Sequence, residues 1–188
     1  MSMKQIIVGS ILFSVLSMAD TSGFDKTLKL QGISFHVQAT NEGSLNQLSI
    51  TTSGLSGNNE VMKHEIDGSV TDAEVADLNA DGFPELYVYV NSAGSGTYGS
   101  LVAYASNRNK SITPIYLPEL SDDKKLSKGY MGHDEFTIIE NSFARRFPIY
   151  LKDDSNCCPK GGTRQIEYKL VAGEAGWILK VKNSIVIK

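Results

Sequence analysis

The strongest constraint in this chain is an alternation of apolar and polar residues with a period of two, recurring along most of its length. Ile33, Phe35 and Val37 alternate with Ser34, His36 and Gln38, and Leu48 and Ile50 alternate before the loop TTSGLSGNN. Two dense runs of β-formers follow, LYVYV at 86–90 and LVAY at 101–104. Further runs lie at 136–139, 146–151, 164–172 and 177–181, with Glu140-Asn141-Ser142 as a turn. Successive side chains of a strand point to opposite faces, so this pattern specifies strands. Its β-branched and aromatic enrichment, punctuated by Gly, Asn and Asp, says the same. No segment carries a helical period, although SDDKKLSK at 121–128 has room for one short turn of helix. Residues 20–26 read as a loose leader. The pattern predicts an all-β fold, an antiparallel β-sandwich of roughly eight to ten short strands. With no Pro/Ser-rich linker and no internal repeat, residues 20–188 are expected to form one domain.

Composition narrows the function. Eighteen Lys and Arg against 21 Asp and Glu leave a net charge of −3. A general nucleic-acid binder needs a basic face, so that class is excluded. A hydrophobic share of 41% with 21% charged residues is that of a folded globular chain rather than a disordered one. Two cysteines are too few for a disulfide-dense scaffold.

Residues 1–19 read as a secretory signal. Lys4 supplies the positive region, IIVGSILFSVL at 6–16 the apolar stretch, and Ser17 and Ala19 the small residues expected before cleavage after Ala19. The stretch is too short to span a bilayer comfortably, and no later run approaches that length. Removing Lys4 and no acid takes the net charge to −4. The product is expected to be soluble and exported, with no membrane association after cleavage.

Cys157 and Cys158 are adjacent. A disulfide wants a Cα separation that one trans peptide barely permits, so the pair makes a poor internal staple. Free thiols, pairing between chains and a vicinal bond all remain open, and the preferred reading is a surface loop with no required function. A zinc site needs about four ligands, which one such pair and the scattered His36, His64 and His133 do not supply.

Two loops carry chemistry. In the first, Asp77, Asn79, Asp81 and Glu85 occupy positions 1, 3, 5 and 9, with Gly82 at position 6 and the carbonyl of Phe83 at position 7. Calcium takes six to eight oxygens, and this spacing wraps one ion. It is not an EF-hand, because position 12 is Val88 where a bidentate Glu is required, and the flank is a strand. It resembles the shorter calcium loops of β-propeller repeats, but in a single copy. The competing reading is a turn in which Asp77, Asn79 and Asp81 cap backbone amides. A calcium here would be structural, and no cofactor is required.

The second loop, SAGSGTYGS at 92–100, lies between the two strongest strands. Gly94, Gly96 and Gly99 spell GxGxxG, but a strand follows where a dinucleotide site needs a helix. The kinase lysine strand, HRD loop and DFG motif are missing, and Ala93 stands where a nucleophile elbow needs Gly. What remains is a hairpin tip of small residues bearing one large side chain, Tyr98. Tyrosine among Ser and Gly is a composition suited to protein binding.

These residues together resemble the periplasmic inhibitors of invertebrate-type (i-type) lysozyme. The matching stretch is 77–120, continuing through RFPIY at 146–150, GGTRQ at 161–165, YKL at 168–170 and the GEAGWIL stretch. The family's Ser-Gly-x-Tyr signature falls on Ser95, Gly96, Thr97 and Tyr98. The resemblance implies a periplasmic β-sandwich that inhibits a host or rival i-type lysozyme by inserting this loop into the active-site cleft. Ser95 and Tyr98 would then meet the catalytic carboxyls, with Gly94 and Gly99 shaping the loop. It is also compatible with a homodimer. Residues 153–161 depart from the family's expected pattern.

Two other functions compete. A glycan- or peptidoglycan-binding module would use Tyr87, Tyr89, Tyr98 or Trp177 as stacking platforms, although sheet packing is the preferred reading for all but Tyr98. An exported enzyme would need a legible acid–base pair. Asp122-Asp123, Asp134-Glu135 and Asp153-Asp154 read as solvated loop pairs, and His133 as a lone surface histidine. The expectation is therefore no enzyme. Arg145-Arg146 reads equally as a partner contact or as a solvated pair on an edge strand.

Overall fold

The computed structural model describes residues 23–188 except residue 60. The signal segment expected at 1–19 and its cleavage point lie outside the described residues.

Among the described residues, twelve strands form two sheets. The first is a four-stranded antiparallel meander of β1 (Phe24–Leu30), β2 (Ile33–Ala39), β3 (Leu45–Ser53) and β4 (Val61–Asp67). The second contains β5 (Ser69–Ala76), β6 (Glu85–Asn91), β7 (Gly99–Asn107), β8 (Ser111–Tyr116), β9 (Glu135–Ile139), β10 (Ser142–Pro148), β11 (Thr163–Ala172) and β12 (Trp177–Ile187). Its spatial order is β5-β6-β7-β8-β12-β11-β10-β9. All its pairings are antiparallel except β8 with β12, which run parallel through Trp177↔Ile115 and Ile178↔Tyr116. The all-β expectation holds, with more strands than the eight to ten read from sequence.

The extra strands have a physical explanation. β1 begins inside the segment read as a loose leader; its exposed Asp25 and Lys29 alternate with half-buried Phe24 and Leu28, and Lys26 interrupts the apolar face. β4 and β5 carry charges at outward positions and bury only Ile66, Val70 and Ala73 fully enough to show an apolar face. Pairing with neighbours, rather than their own composition, makes them strands. The helical turn expected at 121–128 is one 3-10 turn at Leu120–Asp122.

Strand β6 explains the architecture. Leu86, Val88 and Val90 pack with Ile33, Phe35, Val37, Leu48 and Ile50 of the first sheet. Tyr87 and Tyr89, on the other face, join Phe143, Ile166, Tyr168 and Leu179 in a second core. A strand buried on both faces reads as a continuous apolar run, which is why LYVYV has no polar alternation. The second core is aromatic: Tyr87 and Phe136 both stack on Phe143, with ring centroids 5.8 and 5.4 Å apart. The eight-stranded sheet curls around it until its edge strands meet. Glu74 of β5 accepts the backbone N–H of Ile138 in β9 at 3.0 Å and the Tyr89 hydroxyl at 2.5 Å. The result is a barrel-like sheet with the meander packed against the outside of β5–β7.

This arrangement puts the two chemistry-bearing loops at opposite ends of β6. The acidic loop enters it at Glu85, and the glycine-rich tip leaves it after Asn91. Seven residues of strand separate them, about 20 Å.

Candidate functional site

The glycine-rich tip is a closed hairpin. Asn91 pairs with Gly99 across the ladder, and the N–H of Ser92 is donated to the Tyr98 carbonyl at 2.9 Å. The Ser92 hydroxyl accepts the N–H of Tyr98, also at 2.9 Å. Within the tip, the N–H of Thr97 reaches the Gly94 carbonyl at 3.3 Å. Gly94 has φ +123°, a conformation closed to ordinary side chains, while Thr97 adopts the left-handed region at φ 39°. Ser95 is exposed, and Tyr98 is 50% exposed although it is large and aromatic. The four signature residues thus share one tip, with the Ser95 and Tyr98 side chains exposed and Thr97 half-buried.

The tip rests on the connection between β8 and β9. Gly96 and Thr97 offer their carbonyls to the N–H groups of His133 and Asp134, at 2.6 and 3.4 Å. The Thr97 hydroxyl lies 3.2 Å from His133 Nδ1. A side chain at Gly132 would collide with the Gly96 carbonyl, so a glycine is required there. Tyr98 meets the ring of Tyr130 edge-on, with centroids 5.6 Å apart.

Beneath this contact lies a buried ion pair that sequence reading missed. Arg145 Nε donates to Asp134 Oδ1 at 2.7 Å, with side-chain exposures of 6% and 0%. Asp134 Oδ2 accepts the Tyr130 hydroxyl at 2.5 Å and the N–H of Gly99 at 2.7 Å. Arg145 Nη2 donates to the Tyr130 oxygen at 2.8 Å, and its guanidinium lies 5.1 Å from that ring's centre. Burial opposes the charge on Arg145, but the hydrogen bond and the charge of Asp134 outweigh it and raise its pKa. Burial, then the bond to Asp134, raises the Tyr130 phenol. The solvated reading fails at Asp134 and Arg145, both buried, and holds at Glu135, which is exposed. β10 lies between β9 and β11 rather than at an edge, and Arg145 is buried, so it is not a partner contact. Arg146 is half-buried and donates to Gln165 at 2.6 Å. Asp134 is 4% exposed, and His133 is half-buried with Nε2 lacking a partner. In sequence, an Asp beside a His and a pair of arginines look like surface charge; only the tertiary pairing distinguishes them.

The acidic loop forms the turn that the capping reading describes. The N–H groups of Asp81 and Gly82 are donated to the Asp77 carboxylate at 3.0 and 2.9 Å, and that of Asp81 also to Asn79 Oδ1 at 2.9 Å. Asp81 in turn accepts the N–H of Phe83 at 2.9 Å. The same fold gathers carboxylate oxygens of Asp77, Asp81 and Glu85 to within 4.8 Å of one another. Glu85 is 1% exposed and accepts the N–H of Leu78 at 2.8 Å. Burial pushes its carboxyl up to about 8; the Leu78 bond opposes this, and Asp77 and Asp81 add to it. These three carboxyls are the group that could hold a cation, with Asn79 and the Phe83 carbonyl at the remaining oxygen positions of the sequence spacing.

Cys157 and Cys158 are joined to each other, the vicinal alternative among the three left open by sequence. Tyr87 and Tyr89 are buried in the second core, which removes them as glycan platforms; Trp177 is half-buried.

The hairpin tip and the acidic loop both fall in the part of the chain that a family model matches. Residues 59–123 match the family model of the periplasmic lysozyme inhibitor of I-type lysozyme. The matched span is less than half of the chain and runs from the end of the meander through β8. No curated protein matches the chain. That family is one of inhibitors rather than enzymes, and it is periplasmic. No helix among the described residues is long and apolar enough to cross a membrane.

Proposed function

We propose that this protein is an exported, non-enzymatic inhibitor of i-type lysozyme that inserts the Ser95–Tyr98 tip into the enzyme's active-site cleft. The observation that carries this reading is the exposed Ser95 and Tyr98 on a hydrogen-bonded tip inside the matched span. Glycosidases work with two carboxyl groups flanking the scissile bond. A blocker therefore needs hydroxyl donors aimed at carboxyls and an apolar body that displaces water. Ser95 and Tyr98 each supply a hydroxyl, and hydrogen bonds to charged groups are the stronger kind. The Tyr98 ring supplies rigid contact area at small entropic cost. The acidic net charge speeds encounter with a basic target.

The test is a titration of the mature protein into an i-type lysozyme degrading peptidoglycan, with c-type and g-type lysozymes alongside. Stoichiometric, selective loss of i-type activity supports the reading. A folded sample that inhibits none of the three defeats it, and a peptidoglycan pull-down then tests the glycan-binding module. Of the four candidate platforms, burial of Tyr87 and Tyr89 leaves Tyr98 and part of Trp177.

We also propose that the Asp77–Glu85 loop holds one structural calcium ion. What supports it is Glu85, a carboxyl buried beside Asp77 and Asp81 at the position-9 ligand of the spacing. The ion would fix the entry into β6 and take no part in inhibition, which happens at the other end of that strand.

A further inference from the structure

The inhibitory tip is held by residues that the family match does not reach. That match ends at residue 123, whereas the segment beneath the tip is 129–134 and its ion-pair partner is Arg145. Three successive features of the tip's return arm are tied down there. The Gly96 and Thr97 carbonyls accept from His133 and Asp134, and the Gly99 N–H is donated to the Asp134 carboxylate. The last tie requires a carboxylate where water does not reach. Such a group is tolerated only when its hydrogen-bonding positions are filled. Arg145, Tyr130 and Gly99 fill them, and Tyr130 also meets the Tyr98 ring. One buried cluster thus connects the core of β10 to the backbone on one side of Tyr98 and to its ring on the other.

We infer that Asp134, fixed by Arg145 and Tyr130, is a positioning residue that orders the Ser95–Tyr98 tip in the free protein. The inference rests on the inhibitor reading for the purpose of that order. A tip of Gly and Ser left to itself samples many conformations, and binding would have to remove them. A tip already held spends less of its interaction energy on ordering, so the cluster raises affinity without touching the enzyme. A cluster serving only overall stability would leave the tip's own fluctuations unaffected, and this difference is measurable.

The experiment is residue-resolved amide hydrogen exchange on the free protein, with inhibition of an i-type lysozyme measured on the same samples. The variants are Asp134→Asn and Tyr130→Phe. The second keeps the ring against Tyr98 and Arg145 and removes one hydroxyl, so it remains informative if Asp134→Asn fails to fold. The expected result is about tenfold faster exchange at Gly99 in Asp134→Asn, the size of one charged hydrogen bond, a smaller acceleration in Tyr130→Phe, where the carboxylate stays but loses one of the groups that fix it, and unchanged exchange in central strand β6. The inhibition constant should rise by a similar factor. Gly99 exchange equal to wild type in folded variants overturns the inference, as does full inhibition by a variant whose tip exchanges fast. A wild-type protein that inhibits no i-type lysozyme defeats the inhibitor reading instead. That failure shows in the wild type alone, and the exchange data then decide the ordering claim by themselves.

Discussion

Asp134 and Gly99, 35 residues apart, share a 2.7 Å hydrogen bond that joins the β8–β9 connection to the first residue of β7. It is the point where a buried charge meets the backbone of the glycine-rich tip. Because Arg145 balances that charge, the two side chains should be strongly non-additive. Arg145→Met alone leaves Asp134 buried against one amide and one phenol, and is expected to cost about 3–5 kcal/mol in urea unfolding. The double variant Asp134→Leu/Arg145→Met removes both charges and should recover part of that loss. Recovery stays partial because the Gly99 N–H then has no acceptor, a cost of about 1–3 kcal/mol. Equal losses in the single and double variants would contradict a balanced pair.

Tyr98 is expected to separate binding from folding. Half of its surface is exposed, and its packing is the edge contact with Tyr130. Tyr98→Ala should therefore change unfolding free energy by about 1 kcal/mol or less. As an anchor inserted into a cleft it should matter far more, about 2 kcal/mol or more of binding, roughly thirtyfold in the inhibition constant. Ser95→Ala should follow the same pattern with a smaller loss of inhibition. Inhibition unchanged in folded Tyr98→Ala would remove the tip from the interface.

How far the sequence was legible depended on whether a residue's environment is local. Period two at Ile33, Phe35 and Val37 and the double-faced run at 86–90 are local patterns, and both sheets contain them as strands. The tip was equally legible, since Gly94 and Gly96 beside one large tyrosine mark a turn whatever lies beneath it. Asp134 and Arg145 were not. Their burial follows from β10 lying between β9 and β11 and the β8–β9 connection folding onto the tip, which no pattern near either residue encodes. β1 and β4 were hidden for a related reason: edge strands of a meander need only a half-buried face, and their charges masked the alternation.

The acidic loop gives a prediction about metal. If it holds calcium, millimolar calcium should raise the melting temperature of chelator-treated protein, and excess EGTA should reverse the gain. At a calcium concentration about a hundred times Kd the stabilisation would be about 2.7 kcal/mol. Asp81→Asn and Glu85→Gln should each lose most of this increment. Both should inhibit lysozyme like wild type, because the loop and the tip lie at opposite ends of β6. A melting temperature indifferent to calcium would leave the loop as a backbone-capping turn alone.

His64 gives a prediction about pH. It lies on the inner side of β4, half-buried, with Nε2 2.7 Å from the Tyr104 hydroxyl. Burial lowers its pKa below the ordinary 6.5. As pH falls through 6.5, the unfolded chain takes up a proton at His64 that the folded protein still refuses. The unfolded state then binds more protons, so this residue makes stability fall with decreasing pH until the folded histidine also titrates. Above 6.5 both states hold it neutral and its contribution is constant. His64→Gln removes the titration and keeps a group able to bond Tyr104. Urea unfolding of both proteins between pH 5 and pH 7.5, roughly spanning the imidazole range, should show the variant losing less stability than wild type on the acid side. The two curves should run parallel on the neutral side. Parallel curves throughout would mean that the imidazole is as well solvated in the folded protein as in the unfolded chain, and that the contact with Tyr104 does not keep it neutral.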